Sequence, residues 1–190
     1  VDVAECKIQL YEHQQYIFEL TKKKTKGVRN TELLTHKSFL KIKPADQYCI
    51  CEENSDFQDL SSVINRNNQL SDQIGFRLQE TNADLVGFVD KIEGNEADFT
   101  TLGIDFETFG EHIDLNLSIE WLTSFVKEVR SRDINFINIS GLPNLDGSKE
   151  VIDIDSNKIS SWADVAKDDT AWLGNDMQNK AMARLMALKE

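Results

Sequence analysis

Two acidic side chains, Glu32 and Asp105, stand beside stretches of sequence that are typical of β-strands. The run 27–29 precedes Glu32, and the run 99–106 contains Asp105 near its end. A pair of carboxyl groups can supply a nucleophile and a general acid/base to one reaction, provided that both reach the same cleft. Because the two residues are far apart in the sequence, only a fold that brings two strand ends together could pair them.

Segments with helical spacing of apolar residues alternate along the chain with short strand-like segments. The predicted helices cover residues 3–24, 85–92, 122–129 and 161–190, and the predicted strands cover residues 27–29, 47–51, 99–106 and 134–139. Residues 140–158 are rich in turns around a short apolar piece at 151–154. The alternation predicts an α/β fold with parallel strands. Catalytic residues of such folds collect where strands end, which is where both carboxylates are predicted to lie.

Four longer motifs are spread over nearly the whole chain. They are RNTELL at residues 29–34, LSDQIGFRL at 70–78, IDFETFGEH at 104–112 and SWADVAKDDTAWLGNDMQ at 161–178. In type and order they resemble motifs of the α-amylase branch of glycoside hydrolase family 57. The first resembles the RNTEL motif that carries the family's nucleophile. The third is nearly identical to DYETFGEH, whose first aspartate is the family's general acid/base. The second is similar to a segment close to LSDDIxFRF, and the fourth matches a signature of the family's C-terminal helical region.

The resemblance implies a fold, an activity and roles for the two carboxylates. The implied fold is a seven-stranded (β/α) barrel of the glycoside hydrolase/deacetylase type followed by helices. Residues 1–140 would supply its later strands and helices, and residues 141–190 the C-terminal helical region. The implied activity is retaining hydrolysis of α-glucans or 4-α-glucan transfer, with Glu32 as nucleophile and Asp105 as acid/base. This mechanism needs Glu32 ionised, which Arg29 nearby would favour. It needs Asp105 protonated, which the like charge of Glu32 and partial burial would favour.

Four further residues of these motifs are candidates for substrate contact. In a strand, Glu107 would point to the same face as Asp105, where it could tune the acid or form a structural ion pair. His112 would either donate to a sugar hydroxyl or cap the following loop. Trp162 offers a flat apolar face that could stack on a glucose ring, and Asp164 stands two residues further on.

Other residues of the motifs favour a structural interpretation. Trp172 precedes Leu173 in a helical run, and Trp121 lies in a helix outside the four motifs, so we expect both to pack in the core. Asp72 and Arg77 would hold loops rather than line the cleft, because charged side chains of this kind mostly lie in solvated or paired positions.

The chain departs from the family pattern at its start and around the cleft. The family's first strand ends in a histidine-glutamine-proline motif, whereas HQQ at residues 13–15 lies inside a predicted helix and lacks the proline. Residues 113–114 are Ile-Asp where the family has Gln-Trp.

These losses support an alternative, a catalytically impaired, truncated homologue that at most binds glucan. A structural or interaction module is a third alternative, because an incomplete barrel exposes strand edges that favour self-association. The chain opens Val-Asp-Val without an initiator methionine, as a piece of a longer protein would.

The net charge and the cysteine content limit which partners and which cellular compartment are expected. The 33 acidic and 21 basic residues give a formal net charge of −12, which argues against a nucleic-acid partner and is irrelevant to a neutral glucan. No apolar run is long enough for a signal peptide or a membrane span. Cys6, Cys49 and Cys51 fit free thiols in a reducing, cytoplasmic setting. Cys49 and Cys51 would share one strand face as buried side chains, but nothing nearby completes a metal site, and no cofactor is expected.

Overall fold

The computed structural model describes residues 3–57, 60–95, 99–145 and 157–188. The elements are α1 (Val3–Thr21), β1 (Gly27–Arg29), α2 (Lys37–Ile42), β2 (Tyr48–Cys51), β3 (Val63–Asn65), α3 (Asn68–Ala83), α4 (Leu85–Glu93), α5 (Leu115–Ser131), α6 (Thr170–Leu173) and α7 (Asp176–Ala187). The chain divides into a unit formed by Val1–Asn65 with Pro143–Glu190, here called the sheet unit, and a unit formed by Arg66–Leu142, here called the helical unit. The domain division predicted at residue 140 concerns the family's barrel and stays a prediction. The apolar piece predicted at 151–154 lies outside the described residues.

The three strands of the sheet unit lie side by side in the order β1-β2-β3, and both pairs are parallel. Val28 lies opposite Cys49, which lies opposite Val63. The strands predicted at 27–29 and 47–51 are confirmed, as is their parallel pairing, whereas β3 was not predicted. The described residues therefore contain helices and a small parallel sheet, a mixed α/β structure, and the seven-stranded barrel stays a proposal.

The core of the sheet unit combines strand residues of one face with residues of α2 and a following turn. Its buried apolar members are Val28, Phe39, Leu40, Cys49, Cys51 and Phe57, and Cys6 and Leu10 of α1 pack against them. Cys49 and Cys51 are fully buried, with their Sγ atoms 3.5 Å apart. Residues i and i+2 of a strand share a face, so the predicted placement and burial of this pair are confirmed.

Most of the predicted helices are present, with shifted ends. The first ends at Thr21, and α4 and α5 contain the helices predicted at 85–92 and 122–129. The helix predicted from residue 161 is wrong at its start, because α6 begins at Thr170 and a capping box between Asn175 and Gln178 opens α7 as a separate helix. Capping side chains satisfy the free N–H groups of a helix start, so they fix this break. None of the helices in the described part of the chain has the length and apolar character of a membrane span.

The helical unit has its own core, where α3, α4 and α5 meet. Its buried members are Leu70, Ile74, Leu78, Phe88, Val89, Trp121, Phe125 and Val129. The rings of Trp121 and Phe125 stack at 4.9 Å, and Phe88 meets both edge-on. Trp121 is only 1% exposed, which confirms its predicted packing role. Such aromatic clusters bury large areas and prefer these offset and edge-to-face geometries.

Two predicted strands of the helical unit are absent. Within residues 99–106, Thr101 forms an isolated parallel bridge with Arg66, and Phe106–Thr108 is a 3-10 turn. Residues 134–138 form no strand, and Asn138 caps the 3-10 turn Ile139–Gly141. Alternating apolar residues become a strand only if a neighbouring strand satisfies their backbone groups. Neither segment finds one, and Phe136 and Ile137 remain more than half exposed.

Candidate active site

Glu32 lies in a strained turn directly after β1. Asn30 caps the 3-10 turn Thr31–Leu33 by accepting from the Thr31 N–H and donating from Nδ2 to the Leu34 carbonyl, both at 3.0 Å. Glu32 has φ 53° and ψ 26°, and Leu33 has φ 51°. Left-handed backbone costs a residue with a side chain about 1–3 kcal/mol, and such strain clusters at functional sites. Two such residues in succession therefore need strong support from their surroundings.

That support comes from residues 160–162, which lie far away in the sequence. Thr35 and Ser160 form an antiparallel bridge with N–H to O distances of 2.8 and 3.0 Å. The carbonyl oxygen of Glu32 accepts from the Ser161 hydroxyl at 2.9 Å and from the Trp162 N–H at 3.1 Å. Ser160 and Ser161 are buried. The segment thus fixes the backbone of the strained turn from both sides.

The carboxylate of Glu32 is held by the same segment. The indole Nε1 of Trp162 donates to Oε2 of Glu32 at 2.7 Å. A donor at this distance from a carboxylate forms a charge-assisted hydrogen bond, which is stronger than a neutral one. Within the described residues, the second oxygen, Oε1, receives no hydrogen bond and is left for another partner. Arg29, the partner expected from the sequence, is exposed and is not bonded to this carboxylate.

Asp164 shapes the loop that carries Trp162. Its Oδ1 accepts from the Ala166 N–H at 2.8 Å, and the Ser161 N–H donates to the Lys167 carbonyl at 3.0 Å. Lys167 has φ 56°, so the loop closes through another left-handed residue. The predicted substrate contact of Asp164 stays a prediction. In the structure its carboxylate stabilises the turn behind Trp162.

Asp105 lies in the helical unit, where it precedes the 3-10 turn Phe106–Thr108. Its side chain is exposed and makes no capping hydrogen bond, so the expected partial burial is wrong. The backbone leading to it is nevertheless firmly held. Arg66 donates to the Gly103 carbonyl at 2.9 Å, and Ser71 Oγ accepts from the Gly103 N–H at 3.1 Å.

Glu107 and His112 form a turn stabilised by its own backbone. The N–H groups of Glu111 and His112 both donate to the Glu107 carbonyl at 3.1 Å. The side chains of Glu107 and His112 pair at 3.5 Å, and both are more than half exposed. The expected strand alignment of Glu107 with Asp105 is wrong because the backbone turns here. The contact with His112 corresponds to one of the two roles open to Glu107, and substrate contact by either residue stays a prediction.

Asp72 and Trp172 are two further residues of the motifs, for which we expect structural roles. Asp72 pairs with Arg66 at 2.5 Å, as expected for a residue that holds a loop. Trp172 is half-buried in α6 and belongs to neither of the two cores described above, so its expected core position is wrong. No group of three or more His, Cys, Asp or Glu residues that could hold a metal ion is found in the described parts of the chain.

Several residues that hold the two candidate catalytic segments were not predicted from the sequence. Asn30, Thr35 and Ser161 hold the Glu32 turn, and Arg66 and Ser71 hold the approach to Asp105. All but Arg66, which lies four residues before the second motif, are in or next to one of the four motifs. A motif match therefore marked the right segments but gave no indication of which polar side chain bonds which carbonyl group.

Comparison with known proteins supports the family resemblance, although the range matched by the family model contains only the second and third motifs and excludes Glu32 and Trp162. Residues 44–155 match the family model described as glycosyl hydrolase family 57. Since this range is more than half of the chain, the chain belongs to that family. It is also 28% identical over 194 residues to a Methanocaldococcus jannaschii protein named "Putative alpha-amylase". That alignment covers 91% of this chain and 42% of the relative, so the chain spans less than half of the relative's length. No solved structure matches the chain.

Proposed function

We propose that the protein is a retaining glycoside hydrolase of α-glucans, with Glu32 as nucleophile and Asp105 as general acid/base. Family membership supports glycosidic chemistry, and the name of the relative supports an α-glucan substrate. The placement of the Glu32 carboxylate carries the proposal. It stands directly after a parallel strand, is held through Oε2 by one hydrogen bond, and keeps Oε1 for attack. A covalent glycosidase step needs a carboxylate fixed in this way.

The proposed reaction has two steps. Oε1 of Glu32 forms a bond to the anomeric carbon while the glycosidic C–O bond breaks, and Asp105 gives its proton to the leaving oxygen. Asp105 then takes a proton from the acceptor, whose oxygen displaces Glu32 and restores the configuration. Water as acceptor gives hydrolysis, and a glucan 4-hydroxyl gives 4-α-glucan transfer. Both outcomes require the two carboxyl groups to lie about 5 Å apart in the working enzyme.

A second candidate function is glucan binding with impaired catalysis. The observation that favours it is the exposure of Asp105, since a general acid at neutral pH usually depends on a partly desolvated site. The loss of the family's aromatic residue next to this motif points the same way. This candidate keeps sugar contacts at residues such as Trp162 and His112 without turnover.

Replacement of the nucleophile tests the proposal. Glu32→Gln should lower the turnover of maltoheptaose by about 1000-fold or more, because the amide cannot form the glycosyl-enzyme. Glu120→Gln, the same change at an exposed position of α5, should leave turnover unchanged. The first product detected by proton NMR should be the α-anomer. Full activity of Glu32→Gln would refute the assignment, and calorimetric binding of maltoheptaose without turnover in the unchanged protein would support the second candidate.

A further inference from the structure

We infer that Trp162 is a positioning residue for the nucleophile Glu32 and not primarily a platform on which sugar stacks. The inference rests on the proposed function and deepens it. It starts from the fact that one residue binds Glu32 twice. The Trp162 N–H donates to the Glu32 carbonyl at 3.1 Å, and its indole Nε1 donates to the Glu32 carboxylate at 2.7 Å.

This double contact closes a ring between the two residues. The backbone bond fixes Trp162 beside the strained turn, and the rigid indole then reaches the end of the Glu32 side chain. A carboxylate is planar, so fixing Oε2 and the side-chain direction also fixes Oε1. Ser161, which donates to the same carbonyl at 2.9 Å, adds a third point of attachment. Holding a nucleophile in an attacking geometry is a large part of enzymatic rate enhancement.

The hydrogen bond from Trp162 to Glu32 should also affect the two steps of the reaction unequally. An N–H donor stabilises the negatively charged carboxylate more than the neutral ester of the glycosyl-enzyme. It therefore assists the second step, in which the carboxylate leaves the anomeric carbon. Removing the donor while keeping an aromatic ring should slow release from Glu32 more than it slows attack, so the covalent intermediate should accumulate.

A stacking platform would behave differently. Its loss would weaken substrate binding and raise KM, and a phenylalanine would replace much of its flat apolar face. The substitution Trp162→Phe therefore separates the two roles. Trp172→Phe is the matched control, because Trp172 is a half-buried tryptophan of α6 and makes no hydrogen bond to Glu32 in the described structure.

The first experiment measures steady-state kinetics on α-maltotriosyl fluoride, together with intact-protein mass spectrometry. Trp162→Phe should lower kcat about 10- to 100-fold, leave KM equal or lower, and show a covalently glycosylated protein. Trp172→Phe should stay within about twofold of the unchanged protein. A rise in KM with little change in kcat and no trapped intermediate would overturn the inference.

A second experiment asks whether Trp162 acts through Glu32. In a Glu32→Ala background, azide can attack the anomeric carbon, displace fluoride and give the β-glycosyl azide. If Trp162 acts through the carboxylate, adding Trp162→Phe should change this rescued rate by less than about twofold. An equally large loss in the rescued reaction would show that Trp162 acts on the sugar and would overturn the inference.

The contact itself can be tested without turnover. The protein has three tryptophans, so three indole N–H signals are expected in a nitrogen–proton correlation spectrum, and Trp162→Phe assigns one of them. Glu32→Gln should shift that signal and leave those of Trp121 and Trp172 in place. An unmoved signal contradicts the contact. Unchanged activity of Glu32→Ala without azide refutes the proposed function instead, and a wild-type protein that never turns over the fluoride removes both claims of catalysis.

Discussion

Arg66 packs so closely against Gly103 that a side chain at position 103 would crowd it. Arg66 Nε donates to the Gly103 carbonyl at 2.9 Å, and a Cβ on Gly103 would stand 3.1 Å from Arg66 Cδ. The same guanidinium pairs with Asp72 at 2.5 Å, and Arg66 is only 5% exposed. One buried arginine thus joins the start of α3 to the backbone that leads to Asp105.

Removing this arginine should destabilise the protein and disturb the segment that precedes Asp105. Arg66→Met keeps much of the packing but removes the bonds that Arg66 makes to Asp72 and to the Gly103 carbonyl, which should cost about 2–3 kcal/mol in the free energy of unfolding. Arg66→Lys keeps the charge but cannot bond both partners, so its loss should be smaller. Urea unfolding curves measure both, and Asp72→Asn serves as a control that removes the carboxylate of the ion pair while keeping Arg66 and its bond to Gly103. Equal stability of Arg66→Met and the unchanged protein would contradict this account.

Gly110 should be required by its backbone conformation. It has φ 116°, and a Cβ there would lie 3.2 Å from Leu115 Cδ1. Gly110→Ala should therefore lower the free energy of unfolding by about 1–3 kcal/mol. Gly75→Ala is the matched control, since nothing lies within 4 Å of a Cβ at this helical position of α3. The control should raise stability by about 0.5–1 kcal/mol. Thermal unfolding of the two variants should thus shift in opposite directions, and a common direction would be contrary to this expectation.

Local pattern and motif likeness predicted different parts of this molecule. Helical periodicity placed α1, α4 and α5, because an amphipathic face depends only on nearby residues. Likeness to family motifs marked the segments that contain Glu32 and Glu107, but it did not predict the long-range bonds that hold the Glu32 turn or the turn at Glu107. Local pattern also placed the sheet unit's first two strands, of which the second lies outside all four motifs.

What the sequence could not predict depends on distant contacts. The alternation at 134–139 predicts a strand, but a strand also needs a neighbour, and no residue in that segment encodes one. The bond from Trp162 to Glu32 joins residues that are far apart in the chain. The spacing of residues in the sequence does not indicate that the indole N–H of Trp162 would donate to the carboxylate of Glu32. The exposure of Asp105 is likewise a property of the surrounding fold.

The three thiols should react in two classes. Cys49 and Cys51 are fully buried, whereas Cys6 on α1 is partly exposed. Burial raises the pKa of the Cys6 thiol above its usual value, and the thiolate is the reactive form. One thiol should therefore react with a disulfide reagent in the native protein, more slowly than a small free thiol at pH 8 and faster as the pH rises beyond 9. The other two should react only in denaturant.

Cys6→Ser provides the control for this assignment, because it should abolish the reaction of the native protein and leave two thiols in denaturant. Fast labelling of two or three thiols under native conditions would show that the sheet unit's core opens readily, contrary to the burial of Cys49 and Cys51.

His36 should make the sheet unit sensitive to mild acid. It caps α2, with Nδ1 accepting from the Ser38 N–H at 3.2 Å, and this role needs the neutral ring. Burial, and after it the positive charge of Lys37, lowers the pKa of His36 below its usual value of 6.5. The unfolded chain then binds a proton more readily than the folded one, so stability is retained above about pH 6.5 and falls as the pH drops through the lowered folded pKa.

His36→Asn keeps a good capping side chain without a titrating group. Its urea midpoint should therefore fall less between pH 7.5 and pH 5.5 than that of the unchanged protein, with His13→Asn on the exposed side of α1 as the control. An equal fall in His36→Asn would mean that other groups cause the acid sensitivity.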